Sequence, residues 1–183
     1  MKVKKKIVIS GGPGSGKTSL INLFKERGYR CFDEISRTFI QGGKEDGIDN
    51  IFNRQPLSFS TFLWEGRKAD YFSANALEFS PNEKPWVFFD RALPDVTAYL
   101  NHKGIVKDDW ENDLKIYSYD LVFLIAPVAS IYKKDDLRME SFEESLALHK
   151  QLKKTYLGLG EIIEVPLMSL EERLHFILNH CHD

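Results

Sequence analysis

The sequence predicts an α/β fold, a parallel β-sheet with helices on both faces. Strand-like and helix-like segments alternate along the chain, which is typical of parallel sheets. Two of the strand-like runs, WVFFD at 86–90 and LVFLI at 121–125, are apolar apart from one terminal acid. Such runs indicate strands that are buried on both faces. A glycine-rich loop between the first strand and the first helix is the third observation that favours this fold.

The predicted elements follow from apolar runs, helical spacing and capping signals. Strands are predicted at Lys5–Ser10, Tyr29–Asp33, Trp86–Asp90, Leu121–Ile125 and Ile162–Val165. Helices are predicted over Lys17–Arg27, Ile35–Gln41, Gln55–Phe79, Asp95–His102 and Asp109–Tyr117, from Ser141 to about Tyr156, and from Ser169 onward. Ser141 and Ser169 each begin a Ser-x-x-Glu capping box. Residues 42–47 are predicted to form a flexible polar connection.

The long helix over Gln55–Phe79 carries apolar residues at helical spacing, and these predict its buried stripe. The stripe comprises Phe59, Phe62, Leu63, Ala69, Phe72 and Ala76. Trp64 and Tyr71 share a face, where they either pack in the core or stack on the ring of a nucleoside-like acceptor. Arg67 and Asp70 on the same helix are candidate contacts to acceptor hydroxyls.

Length and composition predict one globular domain over residues 1–183. The chain is 43% hydrophobic and 28% charged, and its formal net charge is −2. These values exclude a disordered chain and a strongly basic one, so no nucleic-acid partner is expected. Two cysteines are too few for a disulfide framework or a zinc cluster. No signal peptide or membrane span is expected, and a cytoplasmic protein acting on a small molecule is predicted.

The last four residues, His180-Cys181-His182-Asp183, contain three types of metal-ligating side chain. A metal site and a frayed terminus are the two interpretations. We expect the frayed terminus, because no second cluster of ligands accompanies these residues in the sequence.

Residues 11–18 match the phosphate-binding pattern G-x-x-x-x-G-K-[ST], with a strand before and a helix after it. Backbone N–H groups of such a loop, and the positive end of the following helix, bind phosphate oxygens. Lys17 is expected to contact the β- and γ-phosphates of ATP, and Thr18 to ligate Mg²⁺. The alternative is a glycine-rich turn without a ligand. The predicted nucleotide contacts are Gly11, Gly12, Pro13, Gly14, Ser15, Gly16, Lys17, Thr18 and Ser19.

Two predicted strands end in acids at the edge where ligands of parallel sheets bind. Asp90 closes the WVFFD strand and is expected to bind Mg²⁺ or substrate, although capping of the next helix or pairing with Arg91 is the alternative. Glu34 is preferred over Asp33 as the base that accepts the proton of an acceptor hydroxyl. Arg37 lies one helical turn further on, where it contacts the acceptor or is an exposed surface arginine.

A polar segment at about 130–142 follows the fourth predicted strand and is a candidate lid over the phosphates. Basic lids neutralise charge on the transferred group and exclude water. Arg138 is the preferred catalytic and phosphate-binding residue, because a guanidinium group matches the geometry of phosphate oxygens. Lys133 and Lys134 stand beside two aspartates and are expected to form a solvated face.

The phosphate loop, the Glu-x-x-Arg at 34–37, the string FDRALPDVTAYL at 89–100 and Arg138-Met139-Glu140 together resemble the P-loop nucleoside and nucleotide kinases. The layout is most similar to the AAA-type ATPase/kinase-like family that contains the nicotinamide-riboside kinase domain of bifunctional NAD-biosynthesis regulators. The resemblance implies a three-layer sandwich around a five-stranded parallel sheet of order 2-3-1-4-5.

The same resemblance implies roles for individual residues. Glu34 is implied as the base or acceptor ligand, Asp90 and Arg91 as contacts to Mg²⁺, phosphates or acceptor, and Arg138 as a contact to the ATP phosphates. The adenine is implied to lie near Pro166–Ser169. The separate adenylyltransferase and DNA-binding domains of those regulators have no counterpart in this sequence.

Two functional hypotheses follow. The first is a kinase that transfers a phosphoryl group from Mg-ATP to a small hydroxylated acceptor, such as a nucleoside-like metabolite. The second is a regulatory ATPase or GTPase that acts through a protein partner. The Asn-Lys-x-Asp motif by which GTPases recognise guanine is missing from the sequence, whereas the carboxylate after the second strand favours the kinase.

Overall fold

The computed structural model describes residues 4–36, 55–129 and 141–182. In this part of the chain, five strands form one sheet in which every pairing is parallel and the order is β2-β3-β1-β4-β5. The predicted α/β class and the implied order 2-3-1-4-5 are therefore confirmed. The strands are β1 (Lys5–Ser10), β2 (Arg30–Phe32), β3 (Trp86–Asp90), β4 (Leu121–Ile125) and β5 (Ile163–Val165).

The described helices begin and end within a few residues of the predicted positions, whereas most of the predicted helix over Ile35–Gln41 and the predicted connection at 42–47 lie outside the described residues. They are α1 (Lys17–Glu26), α2 (Pro56–Ala76), α3 (Leu93–His102), α4 (Asp108–Asp113), α5 (Phe142–Leu157) and α6 (Leu170–His182). The predicted helix over Asp109–Tyr117 is instead the short α4 followed by a 3-10 turn at Leu114–Ile116. Both capping boxes form: the backbone N–H of Glu144 donates to Ser141 Oγ at 3.1 Å, and that of Glu172 to Ser169 Oγ at 3.3 Å.

The sheet is buried on both faces because its strands present apolar side chains alternately to two helical layers. Ile7 and Ile9 of β1 pack with α1 and α6 on one face. Val8, between them, packs with α3 and α5 on the other face. Helix α2 lies against α3 on this second face, in a cluster that includes Trp64, Leu93 and Trp110. The carboxyl ends of the strands meet at one edge of this sandwich.

The predicted apolar stripe of α2 is wrong in four of its six positions. Phe62 and Phe72 are 41% and 57% exposed, and Ala69 and Ala76 are also exposed. With ~3.6 residues per turn, these four centre on the side of the helix opposite the buried face as a whole, so the prediction combined two faces. The buried face comprises Phe59, Ser60, Leu63, Trp64, Arg67, Tyr71 and Ala74. It contains an arginine that an apolar pattern does not detect.

Trp64 and Tyr71 belong to the core, which was one of the two interpretations of their shared face. Trp64 is 2% exposed and stacks on Trp110, with ring centroids 4.6 Å apart. Tyr71 makes edge-to-face contacts with Tyr117 and Tyr119. Their rings are therefore used in packing.

The expectation of a frayed carboxyl terminus is wrong up to residue 182. Helix α6 continues to His182, and Cys181 is 1% exposed. Lys5 Nζ donates to the Cys181 carbonyl at 3.0 Å, and the His182 ring packs edge-on against Trp86. These contacts with β1 and β3 order the last turn. Within residues 4–36, 55–129 and 141–182, no group of three or more His, Cys, Asp or Glu is arranged to bind a metal ion.

A membrane span requires a long helix that is apolar throughout. None of the helices in the described ranges meets that requirement.

Candidate functional site

The glycine-rich loop lies where the sequence placed it, between the end of β1 and the start of α1. Gly11 has a φ of 148°, and a Cβ atom there would lie 2.0 Å from the Ile125 carbonyl oxygen. A Cβ at Gly12 would lie 2.7 Å from the Ser145 carbonyl oxygen. Glycine is thus required because the loop backbone passes directly against β4 and α5. We call residues 11–18 the phosphate loop.

Two side chains from distant parts of the chain bind the carbonyl groups of the phosphate loop. Ser145 Oγ of α5 donates to the Pro13 carbonyl, and Arg173 Nη1 of α6 donates to the Ser15 carbonyl at 2.9 Å. The partners are 132 and 158 residues apart in the chain. Sequence reasoning missed both residues, because no local motif marks a contact over such a separation.

Lys17 is 5% exposed, and its ammonium group binds the phosphate loop itself. Its Nζ donates to the carbonyls of Gly11 and Gly12, at 2.8 and 2.9 Å, and to Ser15 Oγ at 3.0 Å. Burial, and then the nearby Arg91, lower the pKa of Lys17 to about 7. The charged form is therefore not fully stabilised by the protein alone. Phosphate oxygens would supply the missing negative charge.

Asp90 ends β3 at the carboxyl edge of the sheet and is 2% exposed. Its Oδ1 atom has no hydrogen-bond partner among the described residues, although it is buried. Burial, and then the neighbouring Glu34, raise the pKa of Asp90 to about 6. A buried carboxylate oxygen without a donor matches the requirement of hydrated Mg²⁺ for oxygen ligands. A buried carboxylate oxygen of Asp90 and the half-buried hydroxyl group of Thr18 are oxygen donors of the kind that Mg²⁺ prefers.

Glu34 is the second residue after the end of β2 and lies at the same edge. It accepts hydrogen bonds from Arg91 Nε and Ser36 Oγ, each at 2.8 Å. Burial alone would raise the pKa of Glu34, but Arg91 and Lys17 lower it to about 2. Asp33 is different: its side chain is 67% exposed and pairs with Lys25 on the surface. Of the two acids, it is Glu34 whose side chain joins the charges beside the phosphate loop.

Arg91 connects Glu34 to the phosphate loop. Its side chain is 6% exposed, and its Nη1 donates to the Gly11 carbonyl at 3.0 Å as well as to Asp95 Oδ1 at 3.2 Å. Its φ of 70° is the only positive value of a non-glycine residue in the described part of the chain. This conformation costs of the order of 1–3 kcal/mol and is found mainly at functional sites. The N–H of Arg91 donates to the Ile9 carbonyl at 3.1 Å, which helps to stabilise it.

Asp95 is a buried hub that sequence reasoning treated only as part of a helix. Its two oxygens accept hydrogen bonds from Ser10 Oγ, the Ala92 N–H, the Tyr156 hydroxyl and Arg91. It therefore orients Arg91 and joins β1, α3 and α5 at one point. The available signal was an acid in the first turn of the helix that follows an acid-terminated strand.

Arg67 extends from the buried face of α2 to the same edge and is 3% exposed. Its Nη1 donates to the Asp90 carbonyl at 3.0 Å, and its Nε has no partner among the described residues. Asp70 lies one turn further along α2, and burial raises its pKa. The carboxyl-edge cluster, as we name it, comprises Glu34, Arg67, Asp90, Arg91 and Asp95.

Several predicted site residues lie outside the described part of the chain. They are Arg37, Arg138, Lys133 and Lys134, with most of the candidate lid at about 130–142. Ser19 is described and exposed. The segment at 166–169, which the resemblance associates with the adenine, follows β5, and the Met168 carbonyl accepts a hydrogen bond from Arg173 Nε at 3.1 Å.

A phosphate loop between β1 and α1, an acid at the end of β3 and the strand order 2-3-1-4-5 define the class of P-loop proteins with a kinase-like fold. Within that class, the chain belongs to the family described as AAA domain, whose model matches residues 6–173. No curated protein matches the chain.

Solved structures with the same fold include nucleoside kinases. Deoxyadenosine kinase from M. mycoides, with the products dCMP and dCDP bound, has a TM-score of 0.66 and 17% identity, over 97% of this chain and 98% of the other. NadR protein in complex with NR has a TM-score of 0.68 and 18% identity. The match covers 98% of this chain but 51% of NadR, so the chain spans about half of that protein. At these identities the likeness shows the fold.

Proposed function

We propose that the protein transfers the γ-phosphoryl group of Mg-ATP to a hydroxyl group of a small nucleoside-like acceptor. The observation that carries this proposal is Glu34. This buried carboxylate is oriented by Arg91, and Arg91 in turn binds the phosphate loop at Gly11. A carboxylate held beside the phosphate loop can accept a hydrogen bond from the hydroxyl group that attacks the γ-phosphate.

The phosphate loop performs the first task of the proposed reaction, which is to bind the triphosphate. The backbone N–H groups of the loop and the ammonium group of Lys17 bind the phosphate oxygens. Lys17 exchanges the carbonyls of Gly11 and Gly12 for these oxygens. Mg²⁺, held by Thr18 and Asp90, would neutralise charge on the phosphates. Arg138 is proposed to add a second cation, and residues 166–169 are proposed to contact the adenine.

Glu34 performs the second task, which is to position the acceptor. A carboxylate with a pKa of about 2 is a weak base, but it accepts a hydrogen bond from a hydroxyl group readily. Phosphoryl transfer through a loose transition state needs little proton removal before the new bond forms. We therefore assign Glu34 to orienting the hydroxyl group and to receiving its proton late. Arg37, Arg67 and Asp70 are proposed to contact the rest of the acceptor.

The acceptor class is supported by the relatives in structure. One of them is named a deoxyadenosine kinase, and another was solved in complex with NR. A nucleoside-like acceptor has both a hydroxyl group for Glu34 and further polar groups for Arg67.

The test is to incubate the full chain with Mg-ATP and a panel of nucleosides that includes nicotinamide riboside. ADP formation is followed together with the mass of each acceptor. We expect at least one acceptor to raise ADP formation and to gain one phosphoryl group. If no acceptor is phosphorylated and ATP turnover is the same with all of them, the kinase proposal is wrong. A regulatory ATPase or GTPase that acts through a protein partner would then be the better explanation.

A further inference from the structure

Arg173 of α6 is a buried cation that bridges two loops at the nucleotide end of the sheet. It is 5% exposed. Its Nη1 donates to the Ser15 carbonyl of the phosphate loop at 2.9 Å, and its Nε donates to the Met168 carbonyl at 3.1 Å. The planar guanidinium group presents donors in a fixed fork, so one side chain sets the distance between the two loops.

The charge of Arg173 has no carboxylate partner among the described residues. Burial lowers its pKa, and no acid of the described residues opposes this effect. Arg91 differs, because it pairs with both Glu34 and Asp95. A buried charge without a counter-ion is costly, and two carbonyl groups compensate only part of that cost. The arrangement is therefore suited to the arrival of an anion at the phosphate loop.

The hydrogen bond to Ser15 also determines the direction of a backbone donor. In a trans peptide the C=O group and the following N–H group point in opposite directions. With the Ser15 carbonyl directed at Arg173, the N–H of Gly16 is directed to the other side of the loop. Gly16 has a φ of 84°, which its lack of a Cβ permits at the start of α1. A charged donor on the carbonyl also polarises the peptide and strengthens its N–H as a donor.

We propose that Arg173 is a positioning residue for the triphosphate. It fixes the Ser15–Gly16 peptide so that the Gly16 N–H donates to a phosphate oxygen, and it ties this orientation to the segment at 166–169. The inference rests on the proposed binding of ATP but is independent of the acceptor.

The experiment compares Arg173→Met and Arg173→Lys with a matched control, Arg27→Met. Arg27, just after α1, forms an exposed ion pair with Glu171, which lies in the same helix α6 as Arg173. Among the described residues, Arg27 makes no hydrogen bond to the phosphate loop. Binding of Mg-ATP and of inorganic tripolyphosphate is measured by calorimetry on the full chain, and thermal unfolding is recorded for every variant. Tripolyphosphate is included because it probes the phosphate loop without an adenine.

We expect Arg173→Met to lower the affinity for both ligands at least about tenfold, which is the effect expected for the loss of a charged hydrogen bond. Arg173→Lys should recover part of the affinity, because an ammonium group retains the charge but not the fork. Arg27→Met should bind both ligands as the wild type does. A purely structural role predicts a lower melting temperature with unchanged affinity for tripolyphosphate, and that result would overturn the proposal.

Three further outcomes are decisive. If Arg173→Met does not fold, Arg173→Lys decides: weaker tripolyphosphate binding supports the proposal, and wild-type binding overturns it. If the wild type binds ATP but phosphorylates no acceptor, the kinase proposal is wrong. The binding measurements on the Arg173 variants still decide whether Arg173 positions the triphosphate. A wild type that binds neither ligand overturns both proposals.

Discussion

The phosphate loop and the carboxyl-edge cluster lie side by side but are built in different ways. The loop is one contiguous stretch, residues 11–18, and the groups expected to bind phosphate are mainly backbone N–H groups. The cluster draws its five side chains from the ends of β2 and β3, from α2 and from α3. Arg91 joins the two regions through its hydrogen bond to the Gly11 carbonyl.

This difference separates what is general from what is particular in the molecule. A loop of backbone N–H groups binds any polyphosphate and is shared by many P-loop proteins. Side chains from several elements define the shape and charge of an acceptor site. Under the kinase proposal, the loop would bind the phosphates of ATP, and the cluster would select the molecule that receives the phosphoryl group. The two regions should respond differently to substitution.

Lys17→Met should have the largest effect on the phosphate-loop side. The variant loses the cation that is expected to contact the phosphates, so the affinity for Mg-ATP should fall by ~100-fold or more. Calorimetry measures the loss. Lys25→Met is the control, because Lys25 lies on the same helix α1 but pairs with Asp33 at the surface. Equal affinities for the two variants would contradict the role of Lys17.

Glu34→Gln tests the carboxyl-edge cluster. Binding of Mg-ATP is expected to change little, whereas acceptor phosphorylation should fall by ~10²–10⁴, the range of acid–base groups in catalysis. Asp33→Asn alters the adjacent exposed acid and should leave the rate unchanged. Normal phosphorylation by Glu34→Gln would show that its carboxylate does not act on the acceptor.

Asp95→Asn should have an intermediate effect that reaches both regions through Arg91. An amide in place of the carboxylate weakens the contacts to Arg91 and to three other donors, so the free energy of unfolding should fall by ~2–4 kcal/mol. Denaturant titration measures this change. Tyr156→Phe removes a single donor to Asp95 and should cost only ~1 kcal/mol. An Asp95→Asn variant as stable as the wild type would show that the hydrogen bonds to Asp95 do not stabilise the fold.

The smallest expected effect is the uptake of protons when ATP binds. Lys17 has a pKa of about 7, so above pH 7 its amino group is mostly neutral in the protein without ligand. Binding of phosphate favours the charged ammonium form, so the group takes up a proton. Uptake should therefore grow between pH 7 and pH 9, up to about one proton, while the affinity falls. Calorimetry in two buffers of different ionisation enthalpy measures it. Uptake at pH 8 that is unaffected by Lys17→Arg, whose guanidinium stays charged, would assign the proton to another group.

The wrong predictions have a common physical origin. The apolar stripe of α2 failed because single apolar residues on an exposed face are normal, so Phe62 and Phe72 carried no information about the core. The frayed terminus failed because Lys5 and Trp86, which order the last turn of α6, are far from it in the sequence. In both cases, contacts with distant segments decide which side chains are buried, and a local pattern does not show those contacts.

The limits of local pattern are clearest at the site. The phosphate loop, the strand that ends in Asp90 and both capping boxes were recognisable from the sequence, because each depends on neighbouring residues or on a strict spacing. Asp95, Ser145 and Arg173 were not, since their partners become neighbours only when the sheet and its helices have assembled. For Arg67, the sequence suggested a contact to the acceptor but not that its guanidinium would be buried against β3.

Local chemistry thus determined that this chain forms a parallel sheet with a phosphate loop at its carboxyl edge. Backbone conformation and the apolar character of β1, β3 and β4 are properties of short segments, and such local properties can be predicted from a sequence. The tertiary structure decided how the charges are paired: Glu34 with Arg91, Arg91 with Asp95, and Arg173 with the loop carbonyls. Electrostatic interactions depend on distance in space, and the fold alone sets that distance.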